Sequence, residues 1–167
     1  MFQRKWIVIV CLALLMIFQA MPINVSAAKP SNTKRALIVV DPGYSGLSYQ
    51  VAQKIANILR ERKTEAKVVK IKAFKKEDLQ KSDLLILGGP TYAHCPSKEV
   101  QRFLAQLNLP GVDTLLFQTG GINCAGIAPL QELARAKGLN VIGTMTITIK
   151  QSRHMEAKIM EFLKSVE

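Results

Sequence analysis

The sequence predicts an α/β domain whose parallel β-sheet carries helices on both faces. Three short apolar runs, at 35–41, 82–88 and 113–119, are typical of strands buried in a parallel sheet, and the first is rich in β-branched residues. The segments between them place apolar residues at helical spacing. Strands that alternate with helices favour helical crossovers on both faces of one sheet, and 167 residues are enough for one such domain but not for two.

The first half of the domain contains three predicted strands and one helix. The run at 35–41 ends at a Pro-Gly pair, and a helix at 48–62 follows it. Residues 66–71 alternate between apolar and polar, which is typical of a strand near the sheet edge, whereas 82–88 is nearly continuously apolar and predicts a buried strand. The predicted inward-facing residues of the helix are Val51, Ile55, Ile58 and Leu59.

The second half alternates helices and strands. Ser97 is a favourable N-cap for the first of these helices, and Gly138 is placed to end the second. The predicted elements are a helix at 97–107, a strand at 113–119, a helix at 126–137, a strand within 139–149 and a helix at 152–166. The predicted inward-facing residues are Val100, Phe103, Leu104 and Leu107, and in the last helix Met155, Ile159, Phe162, Leu163 and Val166.

The first 27 residues have the three-part pattern of a secretory signal. Arg4 and Lys5 form a basic start, 6–18 is apolar, and small residues precede a cleavage site after Ala27 or Ala28. The apolar run is shorter than the roughly 20 residues of a transmembrane helix, but an uncleaved membrane anchor remains the alternative. We therefore expect an exported protein, secreted or tethered to the membrane. Its predicted parts are the signal at 1–27, a linker at 28–34 and the domain at 35–167.

The domain is strongly basic. The net charge of +11 falls to +9 when residues 1–27 are removed, because that segment contains Arg4 and Lys5 but no acidic residue. A basic surface is often simply well solvated; alternatively it attracts anionic lipid headgroups or cell-wall polymers. Nucleic acid is not an expected partner, because export separates the protein from it and aromatic residues do not alternate with basic ones.

Three loops at the carboxyl ends of the strands are the expected functional region, because ligands of open α/β sheets bind there. The loop at 42–49 runs into a helix N-terminus, where glycines, Ser45, Ser48 and free N–H groups suit a phosphate. An ordinary turn capped by Ser48 is the alternative. The loop at 119–126 offers N–H donors, or is an ordinary glycine turn.

The middle loop, at 89–97, carries an aromatic and a titratable residue. We expect Tyr92 to be exposed at the end of the strand, where its ring can stack on a flat ligand. His94 can donate a hydrogen bond, although a single surface histidine often has no role. The two histidines are far apart in the sequence, and we find no catalytic triad, metal cluster or dinucleotide fingerprint.

Together the three loops resemble the flavodoxin family. The stretch from Leu87 to Tyr92, Leu-Gly-Gly-Pro-Thr-Tyr, is similar to the Gly-Pro-Thr-Tyr/Trp loop after the third strand, and Thr119-Gly-Gly to the loop after the fourth. The first loop keeps Gly46 and Ser48 of the family's Thr-Thr-Gly-Asn-Thr pattern, whereas Tyr44 and Leu47 replace a hydroxyl and an amide. The resemblance covers 35 to about 165.

The resemblance implies a single flavodoxin-like doubly wound domain with a five-stranded parallel sheet in the order 2-1-3-4-5. It also implies non-covalent FMN, which supplies redox chemistry that side chains lack. The residues implied for the phosphate are Tyr44, Ser45, Gly46, Leu47 and Ser48; those for one side of the isoalloxazine are Pro90, Thr91, Tyr92, Ala93 and His94; and those for the other side are Thr119, Gly120 and Gly121.

Cys95 and Cys124 lie in the second and third loops, which face each other across the expected flavin pocket. Under the resemblance they are a candidate redox pair, as a disulfide or as a dithiol that exchanges electrons with the flavin. The alternative is two unrelated small residues.

Three functions follow from these observations. The first is an FMN-binding redox protein acting in electron transfer outside the cytoplasmic membrane, as an electron carrier or a small FMN-dependent oxidoreductase with an unknown redox protein partner. The second is a binding module of the cell envelope that has lost or weakened flavin binding. The third is a hydrolase with Cys95 or Cys124 as nucleophile and His94 as base. For Cys95 the geometry is poor, because adjacent residues in a loop point in different directions.

Overall fold

The computed structural model describes residues 34–107, 110–121 and 126–166. The predicted signal at 1–27 and nearly all of the predicted linker therefore lie outside the described residues. None of the helices in the described ranges is long and apolar enough to cross a membrane.

Five parallel strands form the sheet, in the spatial order β2-β1-β3-β5-β6. A two-residue strand, β4, pairs antiparallel with the end of β3. Apart from β4, which the sequence does not predict, this is the predicted order 2-1-3-4-5. The strands are β1 (Arg35–Val40), β2 (Glu65–Lys70), β3 (Leu84–Tyr92), β4 (Cys95–Pro96), β5 (Asp113–Gly120) and β6 (Asn140–Thr148).

The helices cover both faces of the sheet and divide the core into two layers. One layer lies under α1 and α5, and the other lies under α2, α3 and α4. The helices are α1 (Leu47–Glu61), α2 (Lys76–Gln80), α3 (Lys98–Gln106), α4 (Ile127–Ala136) and α5 (Met155–Phe162). All the residues predicted to face inward are buried except Met155 and Val166, which are half-buried.

The third strand is longer than the sequence predicts. It was expected to end at Gly88, where the Gly-Gly-Pro sequence indicates a loop, but β3 continues to Tyr92. The extension is stabilised from both sides, because Gly88–Pro90 pairs with β5 and the last two residues pair with β4. Pro90, Thr91 and Tyr92 are therefore strand residues, and the loop beyond them is only two residues long.

The helix ends also differ from the predicted bounds. Ser48, the predicted alternative N-cap, lies inside α1; the N-cap is Gly46, whose φ of 70° favours glycine. At the other end of the chain the predicted helix at 152–166 is divided into 3₁₀ turns at Ile149–His154 and Leu163–Val166 with α5 between them. The short helix α2 and the 3₁₀ turn at Ile71–Ala73 were not predicted.

Candidate functional site

The predicted functional loops meet at the carboxyl edge of the sheet, held together by hydrogen bonds between side chains. Ser48 Oγ at the start of α1 and Thr119 Oγ1 near the end of β5 are 2.6 Å apart and buried. Thr91 Oγ1 near the end of β3 donates to Gln118 Oε1 of β5 at 2.7 Å. The first and third loops are thus joined through one bond, and the second and third through the other.

The first and second loops meet through close packing. Gly43, with a φ of 62°, lies so near Pro90 that a Cβ there would be 2.8 Å from Pro90 Cγ. Next to this contact the rings of Tyr44 and Tyr92 are tilted at 57° with their centroids 5.9 Å apart. Tyr44 is 98% exposed and Tyr92 is 43% exposed, so the two rings present an aromatic surface to the solvent. The sequence predicts this exposure for Tyr92.

Most side chains of the predicted phosphate loop are already engaged. Ser45 Oγ accepts a hydrogen bond from the backbone N–H of Leu47 at 3.3 Å. Leu47 is buried in the core layer under α1, and the Ser48 hydroxyl is buried against Thr119. Gly46 is open: a Cβ there would meet no atom within 4 Å. Because the first N–H groups of a helix have no acceptor within the helix, the backbone N–H groups at the start of α1, apart from that of Leu47, are the groups of this loop that could contact an anion.

The turn between β3 and β4 holds two non-glycine residues in the left-handed region. Ala93 has a φ of 46° and His94 a φ of 64°, the combination found in two-residue hairpins of type I′. Both residues are exposed. The turn carries the chain back to Cys95, whose free thiol is exposed. Cys124 lies outside the described residues, so the redox pair stays a prediction.

A buried amide beneath the third loop was missed by the sequence reasoning. Gln118 is fully buried, and its Nε2 has no hydrogen-bond partner in the part of the chain that the structure describes. The only signal for it in the sequence is a glutamine inside an apolar strand. Nearby, Thr119 is buried, Gly120 is half-buried and Gly121 is exposed with open space where a Cβ would lie.

A cleft of about 830 Å³ lies beside the β3–β4 hairpin. We call it the hairpin cleft; it is bounded by 41–44, by 70–72 at the end of β2, by the β3–β4 hairpin and by 97–102 at the start of α3. It includes Tyr44 and Tyr92 but not Thr119, Gly120 or Gly121. Its basic residues are Lys70, Lys72, Lys98 and Arg102. The sequence reasoning did not associate these four residues with a site.

The described residues contain no cluster of three histidine, cysteine or acidic side chains that could hold a metal ion.

Solved flavodoxin structures have a similar fold. The two-electron reduced flavodoxin of Megasphaera elsdenii has a TM-score of 0.68 and 20% identity, covering 79% of this chain and 99% of that chain. The Streptococcus pneumonia TIGR4 flavodoxin has a TM-score of 0.67 and 15% identity, covering 80% of this chain and 97% of that chain. A flavodoxin from the domain Archaea has a TM-score of 0.66 and 17% identity, covering 79% of this chain and 98% of that chain. No family model matches the sequence, and no curated protein matches it. The likeness shows a flavodoxin-like fold.

Proposed function

We propose that this flavodoxin-like domain binds FMN non-covalently and acts in electron transfer outside the cytoplasmic membrane. The observation that carries the proposal is the open backbone at Gly46, at the start of a 15-residue helix and beside the other two functional loops. Bound FMN would supply one- and two-electron chemistry, which the side chains of this site lack.

The residues present fit FMN through the backbone rather than through hydroxyl side chains. The N–H groups of the first turn of α1, other than that of Leu47, would hold the phosphate, and the helix dipole would favour its charge. Tyr92 offers an exposed ring for stacking, and a Cβ at Gly121 would meet no atom of the described residues within 4 Å. The Gln118 Nε2 has no hydrogen-bond partner among the described residues; such a donor costs about 1–3 kcal/mol when it stays unsatisfied.

Titration with FMN, followed by quenching of flavin fluorescence, tests the proposal. We expect stoichiometric, submicromolar binding to the purified protein. Gly46→Ala should weaken binding about tenfold or more, because the methyl group occupies the space beside the α1 N–H groups and such charge-assisted bonds contribute about 1.5–3 kcal/mol. Gly111→Ala is the matched control: its φ is 81°, a Cβ there also meets no atom within 4 Å, and it lies outside the site.

Equal affinities of the Gly46 and Gly111 variants would contradict the assignment of the phosphate to α1. A colourless protein that binds no FMN would instead favour the second candidate, a binding module of the cell envelope. That candidate has structural support of its own: Leu47 and Ser48 turn towards the core, so the first loop presents few side-chain oxygens to a phosphate.

The partners of the proposed electron transfer are a redox protein and, through the basic surface, an anionic membrane or cell-wall polymer. The charge of +9 left after removal of 1–27 supports this part of the proposal. Cys95 and Cys124 remain the proposed redox pair. Alkylation of the native protein with and without reductant tests it, since two thiols that are alkylated without reductant would rule out the disulfide.

A further inference from the structure

We propose that the hairpin cleft is a second binding site, which takes a small aromatic molecule bearing an anionic group. It adjoins the proposed flavin site through Tyr44, Tyr92 and Ala93, whereas none of the described residues of the third loop, 119–121 and 126, lines it. The inference goes beyond the proposed function, because it holds whether or not FMN binds.

The charges around the hairpin cleft favour an anion. Four basic residues line it against two acidic ones, and both acidic groups are already engaged. Glu99 Oε1 pairs with Arg102 at 3.3 Å, and Asp41 Oδ1 accepts from the Gly43 N–H at 3.1 Å. Lys72 and Lys98 are exposed and form no ion pair with any described residue. These two ammonium groups are therefore available to a ligand.

The start of α3 adds to the positive potential. This nine-residue helix is capped by Ser97, whose Oγ accepts from Val100 N, and its first turn lines the hairpin cleft. The partial positive charge at a helix N-terminus attracts anions. The helix end and the two lysines together define the anionic part of the site.

The remaining walls of the hairpin cleft favour a flat apolar body. Pro42, Ile71 and Pro96 contribute apolar surface, and the rings of Tyr44 and Tyr92 stand at one side. A tyrosine that is 98% exposed has most of its ring free for stacking on an aromatic ligand. The volume of about 830 Å³ lies within the roughly 300–1,000 Å³ of small-molecule sites, which favours a small molecule over a protein segment.

Calorimetric titration with 2-naphthoate, which combines a flat aromatic body with one carboxylate, tests the inference. We expect one molecule to bind per protein, and 2-naphthylmethanol, which lacks the charge, to bind more weakly. High salt should weaken naphthoate binding, because the Debye length falls from about 10 Å at 0.1 M to about 3 Å at 1 M.

Charge reversal locates the site. The double variant Lys72→Glu with Lys98→Glu should bind naphthoate about tenfold more weakly, since two attractions become repulsions. The control is the double variant Lys81→Glu with Lys137→Glu, which changes the net charge by the same amount. Both residues lie directly after the C-terminal ends of α2 and α4 and do not line the hairpin cleft. Equal naphthoate affinities in the two double variants would overturn the inference.

Repeating the titration with saturating FMN separates this inference from the proposed function. We expect naphthoate to bind in the presence of FMN. If FMN displaces naphthoate and the Lys72/Lys98 variant also loses FMN, the hairpin cleft is where FMN itself binds and a second site is ruled out. If FMN does not bind at all while naphthoate shows the expected dependence on Lys72 and Lys98, the proposed function fails and this inference stands.

Discussion

At the scale of single residues, the β3–β4 turn is the most informative feature. Two residues other than glycine adopt the left-handed conformation there and set the path of the hairpin. Ala93 and His94 hold φ values of 46° and 64°. For an L-residue this conformation costs roughly 1–2 kcal/mol, and such strain is often found next to binding sites. The turn places Tyr92 and Cys95 opposite each other at the edge of the hairpin cleft.

Ala93→Gly should stabilise the protein by about 0.5–1 kcal/mol, because removal of the Cβ relieves the left-handed strain by more than the added entropy of the unfolded chain costs. The urea unfolding midpoint measures the change. Ala105→Gly, at an exposed position inside α3, is the control and should destabilise by a similar amount. A loss of stability in both variants would show that Ala93 is not strained.

The meaning of a residue in the first loop depends on where its side chain lies. In the sequence, Leu47 replaces the amide side chain of the flavodoxin phosphate-loop pattern, whereas Ser48 keeps the hydroxyl of that pattern. In the structure Leu47 is core and the Ser48 hydroxyl bonds Thr119. The direction in which the Leu47 or Ser48 side chain points does not follow from residue type. It depends on which face of α1 packs against the sheet.

At the scale of elements, the junction between α1 and β5 depends on the buried bond between Ser48 and Thr119. Ser48→Ala and Thr119→Val should each destabilise by about 1–3 kcal/mol, because each leaves a buried hydroxyl without its partner. The double variant should lose less than the sum, with a coupling of about 0.5 kcal/mol or more in unfolding experiments.

Additive losses in that cycle would show that the two hydroxyls do not interact in the folded protein. Ser152→Ala is the control for removing a hydroxyl as such. Its Oγ donates to the Ile149 carbonyl at an exposed position, so its loss should change stability by no more than about 0.5 kcal/mol.

The elements themselves were predicted closely where apolar periodicity is strong. The helix expected at 48–62 is Leu47–Glu61, and the one expected at 97–107 is Lys98–Gln106 with Ser97 as its cap. The extension of β3 was missed, because Gly-Gly-Pro is a turn signal in isolation and becomes a strand only through pairing with β5 and β4. The short helix α2 was missed because its polar sequence carries almost no periodicity.

At the scale of the whole molecule, export is a prediction from the sequence alone. Full-length protein expressed in a bacterium should appear outside the cytoplasmic membrane with an N-terminus at residue 28 or 29, as intact-mass spectrometry would show. Replacement of both Arg4 and Lys5 by Glu should retain the precursor, because the signal needs its positive start. If the unaltered protein is found at full-length mass in the membrane fraction, the result favours the uncleaved anchor. If both the unaltered protein and the Arg4/Lys5 variant stay in the cytoplasm at full length, the result contradicts export.

The sequence by itself determined the α/β class, the five parallel strands and four of the helices in their order along the chain, and the residues that face the core. These are local properties, because the spacing of apolar residues along a segment follows the period of the element that buries them. Only the tertiary structure decided that Lys70, at the end of β2, and Lys72, just beyond it, share a cleft with Lys98 and Arg102 of α3. Strand order and loop path bring those segments together, and neither is encoded in the spacing of residues within one element.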